Sequence, residues 1–281
     1  MKPKILINPG LMAATIVGVI GIRAVPVPPW GQMSIAQAQE SSPSTELTES
    51  VIKRKLAEAS RLAQQLLELL QQRKYSEAIP LLERVLEIEQ QLLGEEHPDV
   101  AESLDNLGLL YSIQGRYQEA EPLLQQALDL RKRLLGEEHP DVAASLNNLA
   151  GLYYRQGRYQ EAEPLFQQAL DLRKRLLGEE HPDVATSLNN LAQLYSSQGR
   201  YQEAEPLLQQ ALDLRKRLLG EQHPHVATSL NNLGGLYEKQ GRYQEAEPLY
   251  RQALDLWKRL LGEEHPHVAS SLHNLAFLYS S

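Results

Sequence analysis

The sequence predicts an all-α chain built as a linear array of antiparallel helix pairs, an α-solenoid. Three observations carry this. Residues 115–150 return 42 residues later as 157–192 with two changes in 36 positions, Leu124 to Phe166 and Ala144 to Thr186. The loop prolines Pro98, Pro140, Pro182, Pro224 and Pro266 step by the same 42. Within each period the apolar residues recur at helical spacing and every run stops at a glycine. A fixed period of this size marks supersecondary units that cannot bury their apolar faces alone, so stability comes from stacking neighbours.

Before the array, Lys2 and Lys4 precede an apolar run over 11–22, a Pro-rich stretch over 25–30 and the small-residue pattern Ala36-Gln37-Ala38. That order predicts a signal peptide over 1–38, cut after Ala38 to leave Gln39 first, and an exported protein, periplasmic or extracellular. The alternative is a membrane anchor, since 5–22 is 18 residues long, near the lower limit for spanning a bilayer, although Asn8 and Pro9 interrupt it. Residues 39–50 are polar and read as a flexible linker. The array then occupies 51–281. A degenerate unit covers 51–94, where Tyr75, Ala78 and Leu82 match but Leu66 and Arg73 replace the small residue and the turn glycine. Units at 98–136, 140–178, 182–220 and 224–262 are complete, and 266–281 is a terminal half unit.

One period shows why each unit is helix, turn, helix, loop. Leu104, Leu107, Gly108 and Tyr111 lie at i, i+3, i+4, i+7, one face of a helix. Pro98 suits the first turn, where its missing N–H costs nothing, and Asp99 complements the positive helix end. Gln114-Gly115 stops that helix. A second periodic run, Tyr117, Ala120, Leu124, Ala127 and Leu128, ends in Arg131, Lys132 and Arg133 and then Gly136. Pro122 falls inside this run and predicts a late helix start or a mild bend.

The spacing of Leu104, Leu107, Gly108, Tyr111, Gly115, Tyr117, Ala120, Leu124 and Ala127 resembles the tetratricopeptide (TPR) motif, with small residues at 108, 120 and 127. The longer period, with Leu-Asn-Asn-Leu-Ala in the first helix and Gly-Arg-Tyr-Gln-Glu-Ala-Glu-Pro-Leu in the second, resembles the repeats of kinesin light chains. The resemblance implies a right-handed TPR superhelix whose first helices line a concave groove. It implies protein binding and not motor function, because no heptad block is present to join a motor chain.

Composition narrows the function. A net charge of −8 without long basic blocks argues against nucleic acid as a partner. Zero cysteine removes zinc fingers, iron–sulfur sites and thiol nucleophiles. Of the eight histidines, His97, His139, His181, His223 and His265 recur once per loop and read as loop or capping residues; the pairs His223/His225 and His265/His267 are too few for a metal site. No cofactor, small-molecule substrate or catalytic constellation is expected, and the chain is not read as an enzyme. The Arg-Lys-Arg triplets at 131, 173 and 215 lie near Glu-Glu pairs and read as a solvated, mutually neutralising face.

The candidate groove residues are Asn106, Asn148, Asn190, Asn232 and Asn274, with Asn147, Asn189 and Asn231 in the column before them, where Asp105 opens the series and His273 ends it. A carboxamide offers an acceptor and two donors, so a row of them suits an extended backbone; the competing reading is bonds to neighbouring helices or water. Variable positions, including Gly151, Gln193, Gly235 and Phe277, would set specificity. The expected function is a scaffold holding a peptide or protein segment. The alternatives are a self-associating structural or envelope-assembly protein, with a homodimer through 266–281, or the TPR portion of a longer effector protein.

Overall fold

The computed structural model describes residues 48–280, among which eleven helices follow one another and no strand occurs. The export segment expected over 1–38, and the part of the expected linker before Thr48, lie outside the described residues. Two compact units are present, the first ending at Leu152 and the second starting at Tyr153. The first holds α1 (Glu49–Gln71), α2 (Tyr75–Leu93), α3 (Pro98–Ile113), α4 (Tyr117–Leu135) and most of α5 (Pro140–Arg155). The second holds α6 (Tyr159–Leu177), α7 (Pro182–Ser197), α8 (Tyr201–Leu219), α9 (Pro224–Lys239), α10 (Tyr243–Leu261) and α11 (Pro266–Ser280). Within each unit helices pack in consecutive pairs: α1 on α2, α3 on α4, α7 on α8, α9 on α10.

The ends of each helix follow from local chemistry. The loop histidines are N-caps. The Nδ1 of His97 accepts the backbone N–H of Asp99 at 3.2 Å, and His139, His181, His223 and His265 do the same for the residue two ahead. Accepting at Nδ1 requires that this ring nitrogen carry no proton. Gly115 closes α3 at φ +74°, which lets the Arg116 N–H return to the Tyr111 carbonyl at 2.9 Å. In the degenerate unit Arg73 takes that place at φ +57°, a left-handed conformation that costs a residue with a Cβ about 1 kcal/mol.

The late start expected at Pro122 does not occur. Helix α4 begins at Tyr117 and carries Pro122 inside it, as α2, α6, α8 and α10 carry Pro80, Pro164, Pro206 and Pro248. All five prolines are exposed, so water can replace the bond each removes.

Small residues let the paired helices approach. A Cβ on Gly108 would lie 2.7 Å from Leu124 Cγ, and one on Gly234 would lie 3.0 Å from the Tyr250 ring. Ala120, Ala127, Ala162, Ala204 and Ala211 are fully buried on the facing helices. A second device fastens the turns: Arg116, Arg158, Arg200 and Arg242 each lie 4.0–4.2 Å over the ring of Tyr111, Tyr153, Tyr195 and Tyr237. Arg242 also pairs with Glu245 at 2.7 Å and with Glu205 of the preceding second helix at 2.6 Å.

Candidate protein-binding face

The asparagine columns lie on the first helices, and they touch one another. In the first unit Asn148 Nδ2 donates to Asp105 Oδ2 at 2.9 Å. In the second, Asn232 Nδ2 donates to Asn189 Oδ1 at 2.8 Å and Asn274 Nδ2 to Asn231 Oδ1 at 3.1 Å. The competing reading holds for three of them: Asn148, Asn232 and Asn274 each bond the preceding first helix, because stacking brings residues 43 apart into register. Burial divides the eight candidates. Asn106 is 4% exposed and Asn189 6%, which closes both to a ligand. Asn147, Asn148, Asn190, Asn231, Asn232 and Asn274 are half-buried. Each bond above occupies one N–H of Asn148, Asn232 or Asn274 and orients the carboxamide, leaving its second N–H and its carbonyl oxygen. Gly151 borders this row, and a Cβ there would meet nothing within 4 Å.

A set of residues beneath this row was misread from sequence. The first arginine of each Arg-Lys-Arg triplet is not solvated: Arg131, Arg173 and Arg215 are 4–7% exposed. Arg131 Nη1 donates to Asp105 Oδ2 at 2.8 Å, to Ser145 Oγ at 2.6 Å and to the Asp141 carbonyl at 3.5 Å. It bolts α4 to both flanking first helices. Arg173 repeats the bond to Ser187 Oγ at 2.7 Å and Arg215 the bond to Ser229 Oγ at 2.8 Å. At the array's two ends the position changes. Glu89 stands there in α2, 1% exposed, where burial, with Asp99 and Glu102 nearby, pushes its carboxyl up to about 8 against a bond from Ser103. Trp257 stands there in α10 and stacks 4.5 Å from His267, leaving the buried Ser271 Oγ without a partner. The signal was present: Arg131 continues the stripe Leu124, Leu128, and Trp257 shows the same position apolar.

The histidine pairs stay part of the loops. Burial and the nearby Arg215 lower His223, and the same causes with His223 added lower His225 to about 4. Among the described residues no cluster of three or more metal-ligating side chains occurs, and no helix is long and apolar enough to cross a membrane.

Helix pairs closed through small residues and bolted repeat to repeat define an α-solenoid that presents its first helices as a surface. The chain belongs to the tetratricopeptide repeat family, whose model matches residues 69–133, 106–175, 141–217, 195–258 and 225–281. This fold generally mediates protein–protein interaction. The chain is similar to the crystal structure of the nearly identical TPR-like repeats of a Podosopora anserina putative kinesin light chain, at 31% identity and a TM-score of 0.57, covering 75% of this chain and 98% of that one. It is also similar to BtubC (BKLC) from P. vanneervenii, at 28% identity and a TM-score of 0.58, covering 82% and 83%. Pseudomonas aeruginosa PilF, 20% identical with a TM-score of 0.51 over 81% and 95%, shares the fold. The comparison with curated proteins returns no match.

Proposed function

We propose that this chain is a non-enzymatic scaffold that holds an extended peptide or protein segment along the face of its first helices. The observation that supports it best is the half-buried carboxamide row. Asn148, Asn232 and Asn274 are preoriented by one bond each and keep a donor and an acceptor, the pair a peptide group needs. Truncating these asparagines would disturb stacking as well as binding, so the cleaner test adds bulk instead. Gly151→Trp and Gln193→Trp place an indole on the row in the first and second units. Each is expected to leave the far-UV helix signal and melting temperature near wild type and to reduce recovery of the protein's partner at least roughly tenfold. Gly151 has open space in front of it, and a helix-interior glycine is itself unfavourable by about 1 kcal/mol relative to alanine. Undiminished partner recovery by both folded variants would refute the reading.

A second reading rests on α11. Leu272, Phe277 and Tyr279 are 48%, 50% and 61% exposed, whereas Leu104, Leu146, Leu188 and Leu230, the equivalents of Leu272, are nearly inaccessible under their own second helices. Not all of the apolar residues of α11 are open: Leu275 and Leu278 are buried against the preceding pair. We propose that the remaining stripe supports self-association as a two-fold dimer. Light scattering at micromolar concentration should give a dimer mass for the wild type and a monomer mass for Leu272→Glu. A wild-type monomer eliminates this reading and leaves the scaffold reading intact.

A further inference from the structure

Four positions of the unit over 224–262 depart from the repeat together, and they meet in space. Tyr250 stands where other second helices carry Leu124, Phe166 and Leu208, and Glu238 stands where other first helices carry Ser112, Tyr154 and Ser196. Gly234 and Gly235 stand where the preceding first helix carries Ala192 and Gln193. Tyr250 is 2% exposed, and its ring needs the space that Gly234 leaves. Phe166 fills the equivalent place with no hydroxyl, so packing alone does not require the extra oxygen. That hydroxyl donates to Glu238 Oε2 at 2.7 Å. Burial first, and then the bond to Glu238, raise the phenol, so it keeps its proton and the glutamate is the acceptor. A Cβ on Gly235 would lie 3.3 Å from the same hydroxyl oxygen, so a side chain there would crowd the pair.

Asn231, Gly235 and Glu238 lie at i, i+4, i+7 of α9, so the glutamate continues the carboxamide row along one stripe of the helix. All three are half-buried. The neighbouring Lys239 is directed to α7, where its Nζ donates to Ser196 Oγ at 3.3 Å. Among the described residues Glu238 has no cationic partner. A carboxylate held by one bond keeps acceptor sites on both oxygens, and one that is fixed and partly out of water attracts a cation more strongly than a free surface acid. We infer that Glu238, braced by Tyr250 and left uncovered by Gly235, anchors a Lys or Arg side chain of the segment bound on α7 and α9. The inference rests on the proposed binding face and adds its charge preference: a cationic side chain at one fixed register, one to two turns beyond the asparagines of α9.

The test uses the full chain and fluorescein-labelled octapeptides of alternating Ala and Ser with one central Lys, Gln or Glu. Fluorescence anisotropy at low salt should show the Lys peptide bound on the order of tenfold tighter than the Gln peptide, with the Glu peptide weakest. Added sodium chloride should narrow that gap. Glu238→Gln keeps an oxygen for the Tyr250 hydroxyl. It should retain the wild-type melting temperature, bind the Gln peptide unchanged and lose the preference for Lys. Tyr250→Phe, a ring the fold already accepts at Phe166, should weaken the preference and leave binding of the Gln peptide as it was. An unchanged preference in that variant overturns the bracing role. Equal binding of the Lys and Gln peptides by the wild type overturns the anchor and leaves the binding face standing. A preference that survives in folded Glu238→Gln puts the cation elsewhere and overturns it too. Binding of none of the three peptides defeats the binding face and the anchor with it.

Discussion

Replacing Arg131 with methionine is expected to destabilise the first unit by about 3–5 kcal/mol. The guanidinium is 4% exposed and joins α4 to Asp105 on α3 and to Ser145 on α5. Without it the Asp105 carboxylate stays buried with a single donor, Asn148, and its Oδ1 already lacks a partner. An unpaired buried charge is the costly half of such a substitution, so adding Asp105→Leu to Arg131→Met should recover most of the loss. The neighbouring Arg133, exposed and 3.6 Å from Glu96, provides the control: Arg133→Met should change stability by a few tenths of a kcal/mol. Urea unfolding followed by far-UV circular dichroism reads all four proteins. Equal, small losses for Arg131→Met and Arg133→Met would show that the bolt carries no stability.

The second large effect is a pH dependence centred on Glu89. Its folded-state affinity for a proton is raised, chiefly by burial and next by Asp99 and Glu102, against the bond from Ser103. A raised carboxyl contributes stability that is whole below the unfolded value of about 4.5 and is lost as pH climbs through about 8. The loss across that window is about 3–5 kcal/mol at 1.36 kcal/mol per pH unit. Glu89→Gln should therefore match the wild type at pH 4.5 and exceed it by several kcal/mol at pH 8. The second unit should respond in the opposite sense. His225 is lowered to about 4, first by burial and then by Arg215 and His223, so its contribution is present above about 6.5 and falls away toward 4. Being half-exposed, it is worth only about 1–2 kcal/mol after screening. A urea midpoint for Glu89→Gln that keeps the wild-type slope between pH 5 and 8 would rule out a buried, proton-holding Glu89.

Much of the site was legible as positions and little of it as roles. The asparagine columns, the small residues at 108, 120 and 127 and the capping histidines were all readable, because each depends on spacing along one helix or across one turn. Which asparagines stay accessible was not. Asn106 and Asn148 are the same residue in the same motif, yet Asn106 is buried and Asn148 half-buried. Their surroundings differ on both sides: Asp105 precedes Asn106 and Leu109 follows it, where Asn148 has Asn147 and Gly151. Arg131 was misjudged for a related reason: a charged triplet before a glutamate pair looks solvated until a second helix is laid over it, and then one of its three members turns inward.

By itself the sequence determined the class of fold and, the start of the Pro-containing helices apart, the signals that begin and end its helices. A 42-residue period, proline at the first turn and glycine after each run are local signals, set by backbone sterics and hydrogen-bond accounting within one unit. Only the tertiary structure decided the contacts between repeats: the Asn–Asn bonds across 43 residues, the burial of Arg131 and Arg215, the burial that raises Glu89 and the exposed side of α11. These arise when identical sequences stack. Stacking places each asparagine of the row against the copy of its neighbour one unit away, and a near-perfect repeat does not show which copy ends buried and which stays accessible.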